Sequence, residues 1–273
     1  MDSELRFAIL IDADNISDRY IKIILDETAN NGVATYKRIY GDWTSQRLAS
    51  WKNVLLENSI IPMQQYSYTI GKSSTDSAMI IDAMDILYSG NVDGFCIVSS
   101  DSDFTRLAAR LREAGKQVIG MGEEKTPQPF ISACNQFKYL DLLYSNQQNK
   151  EKEEAAEAAA AAAGAAQESA EAYTEAGGQE PVKQKSERVV EQELKKIRRL
   201  VNDIIDQFSD EEGWLSSGKL GDQLAKRMPE FDVRNYGYSK LTPFIKSLGV
   251  YEIGRATTGN GQKHLYVRMK KQK

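Results

Sequence analysis

Two short apolar runs, each closed by a pair of aspartates, constrain this chain more than any other feature. RFAILI (6–11) leads into Asp12 and Asp14, and GFCIVSS (94–100) leads into Asp101 and Asp103. Apolar runs this short, without alternation, read as strands buried on both faces. Elsewhere in the first half the apolar spacing turns helical. Ile21, Ile24 and Leu25 mark one helix, and Leu48, Trp51, Leu55 and Leu56 a second behind Thr44. Met79, Ile80, Ala83 and Leu87 mark a third, and Phe104, Leu107, Ala108 and Leu111 a fourth ending at Gly115. ATYKRIY (34–40), SIIPMQQY (59–66), KQVIGM (116–121) and KYLDLLY (138–144) read as further strands. Strand–helix alternation of this kind predicts an α/β fold, a parallel sheet flanked by helices.

In an open α/β sheet, ligands bind outside the carboxyl ends of the strands, where the strand order reverses. If the two aspartate-tipped strands are neighbours, Asp12, Asp101 and Asp103 converge there. Asp76, at the start of a predicted helix, can add a fourth carboxylate. Like charges so close oppose one another, and a divalent cation relieves them. Oxygen-only ligands suit Mg²⁺ or Mn²⁺. The plain alternative is that an aspartate after a strand only caps the next helix, a role open to Asp14 as well as Ser17 and Ser102. Two such clusters in one domain favour a site. Asp82 and Asp85 lie about 120° and 180° round the helix from Asp76 and do not readily share its ligand.

The single histidine, His264, excludes histidine-pair ribonuclease chemistry and multi-histidine zinc sites. Cys96 and Cys134 form no CxxC and read as reduced core thiols, which predicts a cytoplasmic protein. No secretory signal is read at the N-terminus, and no run approaches the ~20 apolar residues of a membrane span.

The overall charge of −4 conceals an asymmetry. Residues 1–148 carry −5, residues 149–182 carry −6, and residues 183–273 carry +7. The middle stretch is Ala/Glu-rich, lacks core-forming residues, and reads as a semi-flexible linker over 149–185. Residues 186–273 read as a second domain. Leu194, Ile197, Leu200, Val201, Ile204 and Ile205 lie on one face of a long helix. Two shorter helices follow, then YEIG and KHLYVRM as strands around a Gly259/Gly261 loop. That order is a winged helix-turn-helix. An acidic front half and a basic tail suit a metal-using part joined to a nucleic-acid reader.

ILIDADN, GKSSTDSAMIIDAMD, and IVSSDSDFTRL with the GKQVIG strand occur in order. On these blocks residues 7–143 resemble a NYN domain of the LabA-like group, within the PIN-like nuclease superfamily. The resemblance implies a PIN-like α/β domain that binds Mg²⁺ or Mn²⁺ and cuts RNA, as an endonuclease in our reading. It puts metal binding and catalysis on Asp12, Asp76, Asp101 and Asp103. Asn15 is expected to orient the first acid, Lys72 to contact phosphate, and Asp82 and Ser100 to play supporting parts. WLSSGKLGDQLAKRMPEFDVRNYGYSKLTPFIKSLG and YEIGRATTGNGQKHLYVR resemble an OST-HTH, or LOTUS, domain. That resemblance implies RNA binding, single-stranded or structured, with Lys219, Arg234, Tyr236, Tyr238, Lys240, Arg255 and Lys263 as contacts. Basic residues neutralise phosphates, and tyrosines stack on unpaired bases. Tyr238 also shares helical spacing with Leu241 and Phe244, so a core role competes.

Several alternatives stay open at this point. The chain could be a non-catalytic RNA-binding adaptor with a structural or degenerate metal site. Its C-terminal domain could bind a protein, and the chain could pair with itself. A dehalogenase-like phosphatase, with Asp12 as nucleophile and Asp14 as acid–base, fits DADN but not the blocks downstream. IGKSST is not a P-loop, because Tyr66 stands where that motif needs glycine.

Overall fold

The computed structural model describes residues 4–66, 74–164, 187–257 and 263–270. Its strands form two separate sheets.

The N-terminal sheet has six strands: β1 (Arg6–Asp12), β2 (Val33–Gly41), β3 (Ile61–Gln64), β4 (Gly94–Val98), β5 (Gln117–Gly122) and β6 (Gln136–Tyr139). All neighbours are parallel. The intervening helices are α1 (Ile21–Ala29), α2 (Trp51–Asn58), α3 (Ser74–Ser89), α4 (Thr105–Glu113) and α5 (Gln128–Ala133). The order is β3-β2-β1-β4-β5-β6. The chain builds outward from β1 to β3, then returns to lay β4 against β1. The order therefore reverses between β1 and β4, the two strands tipped by aspartates.

β1 shows why the sheet lies in the middle. Its side chains alternate: Phe7, Ile9 and Ile11 join one buried cluster, while Ala8 and Leu10 join the other. β4 divides the same way, with Cys96 and Val98 on one face and Phe95 and Ile97 on the other. Strands buried on both faces have no polar side to alternate, so they read as unbroken apolar runs.

The elements depart from the sequence expectation in several places: Ser45, not Thr44, caps a short turn over Gln46–Leu48, and α2 starts only at Trp51. KYLDLLY is not one strand: β6 stops at Tyr139, and α6 (Leu140–Gly164) starts at the next residue. Leu140 and Leu143 are buried three residues apart, which is helical spacing. α6 then continues into the alanine-rich stretch, where helix propensity is highest. The short α5 was not anticipated. It follows Pro127, and Pro129 sits in its first turn, where a missing N–H costs nothing.

The C-terminal elements are α7 (Glu187–Phe208), β7 (Leu215–Ser216), α8 (Ser217–Arg227), α9 (Leu241–Ser247), β8 (Tyr251–Thr257) and β9 (Lys263–Met269). β8 and β9 form the expected antiparallel wing, and short β7 adds a third strand in the order β7-β9-β8. Ile197, Val201, Ile204 and Ile205 of α7 are buried with Leu220, Leu224, Phe244 and Val267. Among the described residues no helix is long and apolar enough to cross a membrane.

Candidate metal centre and RNA-binding domain

At the carboxyl end of the N-terminal sheet, β1 and β4 stop side by side, with Ile11 paired to Val98. The next residues are Asp12 and Ser99. Asp12 is wholly buried. Its Oδ1 accepts the backbone N–H of Asp14 at 3.0 Å. Its Oδ2 accepts from Asn15 Nδ2 at 2.6 Å and from Ser99 Oγ at 2.8 Å. Burial pushes the Asp12 carboxyl above the usual carboxylate range, and the Asp14 charge adds to that; the three donors work against it.

Ser99 joins the two strand ends. Its hydroxyl donates to Asp12 and accepts the backbone N–H of Asp101 at 3.0 Å. Asp101 caps the short turn Ser102–Phe104, its Oδ1 accepting the N–H of Asp103 at 2.9 Å. Capping and clustering coexist in this residue, because a carboxylate has two oxygens. One carboxylate oxygen from each of Asp76, Asp101 and Asp103 lies within 4.8 Å of the others. Asp76 and Asp101 are half-buried, and Asp103 is exposed.

Asp76 comes from the first turn of α3, which Asp14 holds. Asp14 Oδ2 accepts from Thr75 Oγ1 at 2.9 Å, and Asp14 Oδ1 pairs with Arg47 Nη2 at 2.7 Å. On the other side, Ser100 Oγ accepts the N–H of Glu123 at 2.9 Å, tying the end of β4 to the end of β5. Gly122 is required there. A Cβ on it would lie 2.6 Å from Thr126 Oγ1 and 2.7 Å from the Ser99 carbonyl oxygen.

Three of the four predicted acids therefore come together, and Asp12 is joined to Asp101 through Ser99. Asp82 is not in the group. It pairs with Arg38 and accepts the hydroxyl proton of Tyr40 on β2. Lys72 lies outside the described residues. Ser99, Asp14, Thr75 and Arg47 were missed as parts of the site.

The donor set fits a hard divalent cation. Three carboxylates held this close repel one another unless a cation or protons intervene. All are oxygen ligands, and no His or Cys joins the group.

Residues 6–141 match the family model of the NYN domain, and residues 189–262 match that of the OST-HTH/LOTUS domain. The chain is an NYN protein with a C-terminal OST-HTH/LOTUS domain. The six-stranded parallel sheet is typical of the NYN and PIN-like fold. The NYN domain belongs to the PIN-like nuclease superfamily and points to a hydrolase; the OST-HTH/LOTUS domain points to RNA binding.

An uncharacterized protein of Methanocaldococcus jannaschii is 28% identical over 125 residues, covering 44% of this chain. The match spans about half that relative's length, 49%. A crystal structure of a protein of unknown function from Vibrio parahaemolyticus is 20% identical, with a TM-score of 0.44. It covers 51% of this chain and 94% of that one. A solution structure of an uncharacterized Nitrosomonas europaea protein is 29% identical, with a TM-score of 0.27, covering 39% and 93%.

In the OST-HTH/LOTUS domain the expected RNA contacts fall into two groups. Lys219, Lys240 and Arg255 are exposed. Lys219 Nζ lies 4.9 Å from the Phe208 ring centre, and Lys240 precedes α9. Tyr236 and Tyr238 are half-buried against Phe244, with ring centres 5.2 and 5.6 Å away. Arg234 is half-buried, and Asp232 accepts from its Nε at 3.0 Å and its Nη2 at 2.7 Å. The Lys263 side chain lies outside the described residues.

Proposed function

We propose that this protein is a metal-dependent ribonuclease, endonucleolytic and LabA-like, that cuts RNA gathered by its OST-HTH/LOTUS domain. The observation that carries this reading is the meeting of Asp76, Asp101 and Asp103 within 4.8 Å, where the sheet order reverses. Asp76, Asp101 and Asp103 would hold Mg²⁺ or Mn²⁺. When bound, such an ion supplies an acidified water and offsets charge on a phosphodiester.

The chain's own residues fix that geometry. Ser99 holds the Asp101 backbone, and Asp14 holds the turn that presents Asp76. Asn15 and Ser99 keep Asp12 in one orientation. We assign Asp12 to that supporting role, since it is wholly buried and does not join the group of Asp76, Asp101 and Asp103. Lys72 remains our candidate for a phosphate contact. In the second domain, Lys219, Lys240, Arg255 and Lys263 would neutralise phosphates. The linker would keep bound RNA at high local concentration near the acids. Two buried free thiols suit a reducing compartment, and we place the protein in the cytoplasm.

Calorimetric titration with Mn²⁺ tests the site. The wild type should bind, and Asp101→Asn and Asp103→Asn should each weaken binding at least about tenfold, on the order of 1.4 kcal/mol. Equal affinity in all three would remove the metal from these residues. No affinity in the wild type would favour the RNA-binding adaptor.

A further inference from the structure

Beside β3, at one edge of the N-terminal sheet, lies an open groove of about 950 Å³. Trp43, Leu48, Leu55, Leu56, Ile61 and Pro62 supply its apolar lining. Lys52 is the one formally charged residue among those that line it. Leu56 is 76% exposed and Ile61 56%. A mostly apolar lining with a few polar groups, here Thr44, Ser45, Gln46 and Ser59, and one cation is the chemistry of a ligand site, and the volume falls within the range of small-ligand pockets.

Trp43 is tied in place. Its Nε1 donates to the Met63 carbonyl at 3.1 Å, and its backbone N–H donates to Gln64 Oε1 at 3.0 Å. A ring already fixed loses little freedom when something stacks on it. The loop that carries Trp43 also reaches the acidic site. Four residues on, Arg47 pairs with Asp14, which holds Thr75 beside Asp76. β3 stands three strand spacings from β4, roughly 15 Å. A separation of that order is a few nucleotides of an extended RNA strand.

We propose that this groove is a subsite for an unpaired nucleobase of the RNA, stacked on Trp43, with Lys52 facing a flanking phosphate. The proposal rests on the ribonuclease reading. A base has a stacking face and a hydrogen-bonding edge and is joined to an anion; the groove offers the Trp43 ring, the polar side chains of Thr44, Gln46 and Ser59, and one cation. A peptide adding itself to β3 as a strand fits less well, because Pro62 lies within β3 and lacks the N–H such pairing uses.

The test is photocrosslinking of the full chain, carrying Asp101→Asn to prevent cutting, to a short oligouridylate containing 4-thiouridine. Peptides are then mapped. Crosslinks are expected within 43–62 as well as in the OST-HTH/LOTUS domain. Leu56→Glu sits at an exposed position and should leave the fold intact. It should lower the 43–62 crosslinks about tenfold and leave the C-terminal ones unchanged. Trp43→Ala should do the same. Crosslinks confined to the C-terminal domain, or crosslinks at 43–62 that neither substitution reduces, would overturn the subsite. So would sedimentation showing a dimer that Leu56→Glu dissociates while crosslinking is unchanged, which would make the groove a contact between copies. Crosslinking does not require cutting, so the two readings fail separately. A wild type that never cuts but crosslinks at 43–62 keeps the subsite; one that cuts without those crosslinks loses it.

Discussion

Thr75 donates its hydroxyl to Asp14 at 2.9 Å, and this bond fastens the first turn of α3 to the loop after β1. Asp76 is the next residue, so the bond sets where one member of the acidic group stands. Thr75→Val keeps the shape but removes the donor. Mn²⁺ affinity should fall about tenfold, or ~1.4 kcal/mol, just under the roughly 1.5–3 kcal/mol of a hydrogen bond to a charged group. Thr75→Ser should restore most of it, which a mere packing role would not produce. Calorimetry on the three proteins checks this.

Asp12 leads to a different expectation. Its carboxylate satisfies Asn15, Ser99 and the Asp14 N–H in a site closed to water. Asp12→Ala strands those donors and should lose about 1–3 kcal/mol of stability. Asp12→Asn keeps an acceptor there and removes a charge that burial disfavours. The sign follows from the pKa: it is raised on folding, so ionised Asp12 opposes folding at neutral pH. In metal-free buffer Asp12→Asn should therefore melt above Asp12→Ala, close to the wild type. Thermal unfolding with a chelator present measures the order.

The two cysteines report on the core. Burial pushes the thiols of Cys96 and Cys134 up to about 12. At pH 8 only about one in ten thousand would be thiolate, the reactive form. A chromogenic disulfide reagent should label neither in the native protein and both in guanidinium. Fast labelling of the native protein would mean that β4 or the segment after α5 is not packed as described.

Much of this was readable because physics leaves an unmistakable trace in a doubly buried strand. β1 is apolar from Phe7 to Ile11 and closes on Asp12, and β4 is apolar throughout, with Ser99 and Ser100 between it and Asp101. Adjacency of the two strands was only a condition in the sequence, and the β1–β4 register supplies it. Ser99 was passed over because its role depends on that register, which places it next to Asp12. The Asp14–Thr75 bond joins residues 61 apart, and no local pattern announces such a contact. Asp82 shares a helix with Asp76 but pairs with Arg38 and Tyr40, partners that the sequence spacing did not indicate. α5 is six residues long, too short for periodicity to show.

The OST-HTH/LOTUS domain separates charge from packing. Tyr238 lies edge-on to Phe244, 5.6 Å between ring centres, whereas Arg255 is exposed on β8. Tyr238→Ala should lower the domain's melting temperature. Arg255→Ala should leave it unchanged but weaken RNA binding and reduce the salt dependence of the affinity by about one phosphate contact. Binding isotherms at several salt concentrations, with melting curves alongside, distinguish the two.

In the proposed function Asp76, Asp101 and Asp103 form a metal centre that cuts RNA. The most direct measurement is cleavage of an internally labelled single-stranded RNA with Mn²⁺, by wild type and by Asp101→Asn. Cutting by the wild type, loss of at least about a hundredfold in the variant, and silence of both in chelator are the predicted result. Equal cutting by the two proteins would contradict the account.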